Sequence, residues 1–258
     1  MNSLKYGMVL FLGLSASLSY AQEYAATLHW SQRVELSAAV SGVVDKVVFN
    51  IGDRVEKSVI LIQLDDSVYK GHVNEFKARL NSAKEIYKEA ERERDRALEL
   101  YERTVLSDHD LQLAKNNFVL ARAELEQVKA QLINSRFNLK HSAIRAPFDS
   151  VVLQRDVEPG QVIATQFRQE PLMVIAASKK MTARFIVAED QISAMVKNKP
   201  AKVRVAGQNY NGKIISIGLE LDPGRSSLSG SASGYPVEVE FEIDTLLRAG
   251  RTAKVELE

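Results

Sequence analysis

Two stretches, SGVVDKVVFNIGDRV (Ser41–Val55) and DSVVLQRDVEPGQVI (Asp149–Ile163), repeat one β-phrase. In each, a Val-Val pair leads to a turn-forming glycine and then another valine; Val43 to Gly52 and Val151 to Gly160 are each nine residues apart. Pro159 fixes φ and Gly160 is free to adopt positive φ, while Asn50 to Asp53 turns in the same way through Gly52. Two such strand-turn-strand units facing each other predict one small β-sandwich. The question is what lies between them.

From Ser67 to Ser142 there is no proline and a single glycine, Gly71, and Glu, Lys, Arg, Ala and Leu dominate. That is a composition for long helices. Tyr69, Val73, Phe76, Leu80, Ala83, Tyr87, Ala90, Arg94, Ala97, Tyr101 and Thr104 alternate steps of four and three, a heptad seam. Leu111, Ala114, Phe118, Ala121, Leu125, Val128, Leu132, Ser135 and Leu139 repeat the rhythm. Between the runs, Ser107 is placed to cap a second helix, with Asp108 and Asp110 favouring its positive end. The spacing predicts an antiparallel coiled-coil hairpin, inserted at the turn that joins the halves of the sandwich. With about 39 residues in its first helix, it projects on the order of 58 Å.

Bulk properties narrow the function. The chain has 258 residues, 34 basic and 33 acidic, so no overall charge imbalance points to nucleic acid. There is no cysteine, which excludes disulfides, thiolate metal sites, a thiol nucleophile and a lipidated N-terminal Cys. The first 21 residues, with Lys5, an apolar run from Gly7 to Leu18 and small residues at Ser19 and Ala21, have the pattern of a cleavable signal peptide, cut near Ala21/Gln22. An uncleaved membrane anchor is the alternative. After Pro171 come short alternating strands, MTARFIVAED, AKVRVAG, NGKIISIGLEL, YPVEVEFEID and RTAKVELE, with EDQISAMVKN (Glu189–Asn198) as a short helix among them. PGRSSLSGSASG (Pro223–Gly234) reads as a surface loop.

The chain resembles the periplasmic adaptor (membrane fusion, HlyD-like) proteins of tripartite efflux pumps, whose lipoyl-like sandwich is split by a helical hairpin. The resemblance rests on Val40–Asp66, on AIRAPFDSVVLQRDVEPGQVI (Ala143–Ile163) with its RAPFD phrase, and on LRAGRTAKVEL (Leu247–Leu257) near the end. It implies an elongated α+β fold: signal peptide 1–21, N-terminal strand and first sandwich half 22–66, hairpin 67–142, second half 143–178 and β-barrel 179–258. The family's membrane-proximal domain is expected to be absent, and the missing Cys forbids a lipid anchor.

The same resemblance implies a non-enzymatic periplasmic subunit without cofactor. Its partners would be an inner-membrane transporter, expected to be a proton-driven resistance-nodulation-division permease, and a TolC-like outer-membrane channel. It would associate with itself into a trimeric or hexameric ring. Members that dock on such channels carry R-x3-L-x6-S near the hairpin tip, matched here by Arg96, Leu100 and Ser107. On a continued helix these fall at about 0°, 40° and 20°, whereas Ala97, Tyr101 and Thr104 sit near 100°. The stripe then faces away from the partner helix. Against a docking role stand ordinary ones: Ser107 as cap, Arg96 as solvated charge, Leu100 as seam flank.

Other candidates carry no chemistry. His29, His72, His109 and His141 lack metal-ligand spacing, Asp65-Asp66 reads as a helix cap, and Met173, Met181 and Met195 are not clustered. Trp30 reads as a packing residue. Two alternatives remain. One is the adaptor of an ABC-type exporter. The other is a lipoyl or biotinyl carrier, whose nearest lysine to the modified turn would be Lys70.

Overall fold

The computed structural model describes residues 22–165, 170–222 and 234–257. Residues 1–21, read above as a signal peptide, and nearly all of the Pro223–Gly234 stretch, read as a loop, lie outside the described residues. The chain forms two compact units, one from Trp30–Lys179 and one from the N-terminal stretch ending at His29 together with the chain from Lys180 onward.

The first unit holds both β-phrases. Its strands are β2 (Arg33–Leu36), β3 (Gly42–Val47), β4 (Arg54–Val55), β5 (Ile60–Leu64), β6 (Ala143–Arg145), β7 (Ser150–Arg155), β8 (Val162–Ile163) and β9 (Met173–Ala177), numbered after a β1 (Glu23–Trp30) that belongs largely to the other unit. Two four-stranded sheets result, in the orders β2-β9-β7-β4 and β6-β5-β3-β8. The phrases exchange strands. The first phrase's β3 pairs with the second phrase's β8 through Gly42↔Ile163 and Val43↔Val162. The second phrase's β7 pairs with the first phrase's β4 through Arg54↔Val151 and Val55↔Ser150. Neither half can therefore close a sheet alone, which is why the phrase occurs twice. Val44, Leu61, Ile62, Leu64, Val152, Met173 and Ile175, each at most 2% exposed, fill the core between the sheets. Each such aliphatic side chain contributes about 1.5–3 kcal/mol by burial.

The hairpin grows from two paired neighbours in one sheet, β5 and β6 (Ile62↔Ile144, Gln63↔Ala143). Helices α1 (Ser67–Glu102) and α2 (Asp108–His141) follow the predicted seam over most of its length. Val73, Ala83 and Ala97 of α1 are buried, as are Leu111, Ala114, Ala121, Leu125, Val128, Leu132 and Ser135 of α2. Arg94, a charge in an apolar seam, is accommodated by stacking its guanidinium 3.9 Å from the Phe118 ring centroid. At the root, the Leu64 amide donates to the Ser142 carbonyl at 2.8 Å and the Tyr69 hydroxyl donates to the Ser41 carbonyl. The cap expected of Asp65-Asp66 is not made: Asp66 is the N-cap of α1 and its side chain bonds no helix amide, while Asp65, one residue earlier, accepts from the Ser67 amide at 3.0 Å. Asp66 instead pairs with Lys70 at 2.8 Å.

The second unit is a closed barrel in the order β1-β10-β13-β12-β11-β14, with β10 (Lys180–Val187), β11 (Pro200–Val205), β12 (Gln208–Ile217), β13 (Tyr235–Glu242) and β14 (Thr252–Leu257). The range 179–258 read for the barrel lacks a strand. β1, grouped by sequence with the sandwich, pairs with β14 from Glu23↔Glu256 to Thr27↔Thr252 and closes the barrel. Its alternation fits that place: Tyr24, Ala26 and Leu28 point inward, and Tyr24 meets Phe185 at 4.8 Å between ring centroids. Trp30 ends β1 and is half-buried. The short helix expected in Glu189–Asn198 is a single 3-10 turn, Ile192–Ala194.

Candidate functional site: the hairpin tip

Helix α1 spans 36 residues, about 54 Å. It ends sooner than its seam pattern suggests. Tyr101 is 42% exposed and Thr104 lies outside the helix. The end is a Schellman cap: Thr104 donates to the Tyr101 carbonyl at 2.9 Å and Val105 to the Leu100 carbonyl at 3.0 Å. Such a cap needs a left-handed residue, and Thr104 takes that role with φ of 60°. The last seam contacts before the turn are Ala97, Leu111 and Ala114, with Leu98 and Leu106 packed against them.

The three candidate residues flank this cap. Arg96 is exposed on α1 and donates to Glu93 Oε2 at 2.9 Å. Leu100 is one turn further on, on the same side as Arg96 because the two are four residues apart. It is half-buried and outside the apolar cluster at the tip. Ser107 lies across the turn. Because α1 stops at Glu102, the wheel angle computed for Ser107 on a continued helix does not apply. It is the N-cap of α2, its Oγ accepting from the Asp110 amide at 3.2 Å and donating to Asp110 Oδ2 at 2.6 Å. The structure brings Arg96 and Leu100 onto one face and sets Ser107 at the start of the opposing helix. The Ser107 hydroxyl keeps one lone pair for an outside donor.

The outer surface of α1 is a ladder of local ion pairs: Glu75–Arg79, Glu85–Lys88, Glu89–Arg92 and Glu93–Arg96. The Arg92 guanidinium hydrogen-bonded to Glu89 holds that carboxyl below its usual range, and Lys88 does the same for Glu85. These pairs are exposed and screened by solvent, so they contribute little to stability. Among the described residues no group of three or more acidic or histidine side chains is arranged to hold a metal ion. Lys70, the residue a carrier reading would modify, lies within α1 and is tied to Asp66. No helix of the described residues is long and apolar enough to cross a membrane.

Sequence reading missed two features. One is Asp149 of the RAPFD phrase, which accepts from the Lys57 amide at 3.0 Å and the Lys179 ammonium at 2.7 Å and so ties the β4–β5 turn to the end of β9. The other is a line of cations at Lys115, Arg122, Lys129 and Arg136 of α2, legible in their exact-heptad spacing.

Comparison with known proteins supplies the family. Residues 32–177, more than half the chain, match the model of the CzcB-like barrel-sandwich hybrid domain. The efflux pump periplasmic linker BepD of Brucella suis is 24% identical over 175 residues, covering 68% of this chain and 44% of BepD. The macrolide export protein MacA of Yersinia pestis is 24% identical over 247 residues, covering 88% of this chain and 65% of MacA. The chain thus spans less than two thirds of either relative. The fold is also that of the membrane fusion protein Spr0693 from Streptococcus pneumoniae R6, with a TM-score of 0.68 at 13% identity over 92% of this chain and 99% of that one. A sandwich built from two exchanged halves and a hairpin set between β5 and β6 agree with the family model that covers more than half of the chain: the chain belongs to the membrane fusion (periplasmic adaptor) family with a CzcB-like barrel-sandwich hybrid domain.

Proposed function

We propose that this non-enzymatic adaptor is the periplasmic subunit of a tripartite efflux pump, linking an inner-membrane transporter to a TolC-like outer-membrane channel. The observation that carries the reading is the hairpin: about 54 Å of coiled coil ending in a turn flanked by Arg96, Leu100 and Ser107. Arg96 can exchange Glu93 for an acceptor on the channel, Leu100 offers an apolar contact and Ser107 a hydrogen bond. Each contact is weak, and repetition around a ring of adaptors multiplies them into a stable assembly. The transporter is read as a resistance-nodulation-division permease. The similarity to a macrolide export protein supports a second reading, the adaptor of an ABC-type exporter.

The test is a disulfide crosslink in the host periplasm. The chain has no cysteine, so Ser107→Cys is a clean probe against cysteines on the periplasmic end of the host's channel. A crosslink from position 107 that vanishes when the probe moves to Lys140 at the hairpin root is the expected result. A crosslink from the root alone would overturn tip-on docking. Deleting either the permease or the exporter ATPase, and asking which deletion matches loss of the adaptor, separates the two transporter readings.

A further inference from the structure

The hairpin has two unlike broad faces. On one, a groove of about 460 Å³ runs between the helices, lined by Ile86, Glu89, Ala90, Glu93, Ala114 and Asn117. Its floor is apolar, and two carboxylates stand on its α1 rim. Ile86 is 56% exposed, and Leu120, 67% exposed, lies one turn beyond Asn117.

The opposite face is basic along α2 and along the first half of α1, where the lysine series ends at Glu91, a carboxylate that accepts from the Tyr87 hydroxyl at 3.1 Å. Lys84 is two residues from Ile86, and Lys115 two from Asn117, so at about 100° per residue each cation is turned some 200° from that lining residue, on the far side of the seam from the groove. Lys70, Lys77 and Lys84 recur every seven residues on α1, as do Lys115, Arg122, Lys129 and Arg136 on α2. Lys77, Lys84, Lys115 and Arg136 have no carboxylate three or four residues away on their own helix, unlike the paired charges along the back of α1. On this face Val119, 61% exposed, protrudes between Lys115 and Arg122.

The groove rim and the α2 edge of the opposite face match in level as well as in sign. Ala83 packs with Leu125 and Val128, and Ala97 with Leu111 and Ala114. That antiparallel pairing sets Val119 level with Ala90, with Arg122 and Lys115 about a turn to either side, near the levels of Glu89 and Glu93. We propose that the groove of one hairpin receives the Lys115–Val119–Arg122 edge of a second copy of this chain, lying parallel beside it. Val119 covers Ala90 and Ile86, while Arg122 and Lys115 draw Glu89 and Glu93 from their local partners Arg92 and Arg96. Helices in contact lie about 8–10 Å apart, so a sideways offset of half that distance seats α2 of the second copy in the groove. The contact is heterologous: each copy offers a different face to each neighbour, and such contacts propagate into a ring where the rotation closes. The inference rests on the ring proposed above and names the surface that would hold it.

The test mixes two purified full-length chains, one carrying Ala90→Cys and the other Val119→Cys, under mild oxidation. A disulfide-linked dimer should form in the mixture and be at least about tenfold less abundant with either chain alone, because a heterologous contact never brings a position against itself. Glu89→Lys with Glu93→Lys should reduce the mixed product by about tenfold or more, since like charges then face each other. Adding Lys115→Glu and Arg122→Glu to the same chains should restore it, which a misfolded variant would not do. If light scattering shows assembly but the mixture yields no dimer, this surface is wrong and the ring stands. A chain that stays monomeric at every concentration tested overturns both.

Discussion

The Gly52 amide donates to the Val152 carbonyl at 2.9 Å, and the Gly160 amide donates to the Val44 carbonyl at 2.8 Å. Each glycine of one β-phrase thus bonds the second valine of the other. The adjacent bonds repeat the relation, Val152 donating to Asp53 at 3.0 Å and Val44 to Gln161 at 2.9 Å. The sandwich therefore has an internal pseudo-twofold axis, carried by four backbone bonds between segments roughly a hundred residues apart in sequence.

Both glycines hold positive φ, 92° at Gly52 and 88° at Gly160. A Cβ added at either would meet nothing within 4 Å, so a substitution costs backbone strain rather than a clash. Gly160→Val should lower stability by about 1–3 kcal/mol, because a β-branched residue resists the left-handed region. Gly160→Asn should cost only a fraction of that. Thermal unfolding of the two variants decides it: equal losses would mean that packing, not φ, sets the requirement.

At the tip the same conformation is held by the wrong residue type. Thr104 occupies the left-handed cap position where glycine is usual. Thr104→Gly should raise stability by about 0.5–1 kcal/mol, strain relief exceeding the added freedom of the unfolded chain. Denaturant unfolding monitored by helix signal is the measurement. A loss on substitution would show that the Thr104 side chain makes a compensating contact at the turn.

The helices were legible because a 3.5-residue period over more than thirty residues, without proline, has few other readings. The cap at Ser107 was legible for a local reason, a hydroxyl three residues before Asp110. Where α1 ends was not, because the seam rhythm continues through Tyr101 and Thr104 after the backbone has turned. β1 carries a clear alternation at Tyr24, Ala26 and Leu28, but its partner β14 lies more than two hundred residues away. Local pattern identifies such a strand without saying which body it closes. The strand exchange between the phrases was hidden for the same reason. The docking candidates rested on spacing, and spacing placed Ser107 on a helix that it caps from outside.

Asp149 gives the sandwich a pH dependence of definite sign. The Lys179 ammonium and then the Lys57 amide hold its carboxyl below the usual 3.8. A carboxyl lowered on folding contributes stability that is present above its unfolded pKa and lost as pH falls through the folded value. Asp149→Asn should therefore lower Tm at pH 7, and the gap to the parent should close below about pH 4. Both partners are exposed and salt screens them, so the gap should also narrow at high ionic strength. A gap independent of pH would mean that the side-chain shape, not its charge, ties Lys57 to the sheet.

Arg96→Asp separates docking from folding. Arg96 is exposed and its recorded partner is Glu93, in a pair whose loss costs a few tenths of a kcal/mol. The reversed charge adds a similar repulsion, so helix content by circular dichroism and Tm should change little. On the adaptor reading proposed above, efflux, measured as accumulation of the exported compound in the host, should fall to the level of the deletion strain if this position faces acceptors on the channel. Leu100→Ala should give an intermediate loss, since Leu100 is half-buried and outside the tip cluster. Ser107→Ala differs in kind: it removes a cap worth about 1 kcal/mol, so stability and efflux should both decline, whereas Ser107→Asp keeps the cap and tests the contact alone. Full efflux with Arg96→Asp in a folded, exported chain would reduce the triple to a coincidence of spacing and leave the hairpin's broad faces as its working surface.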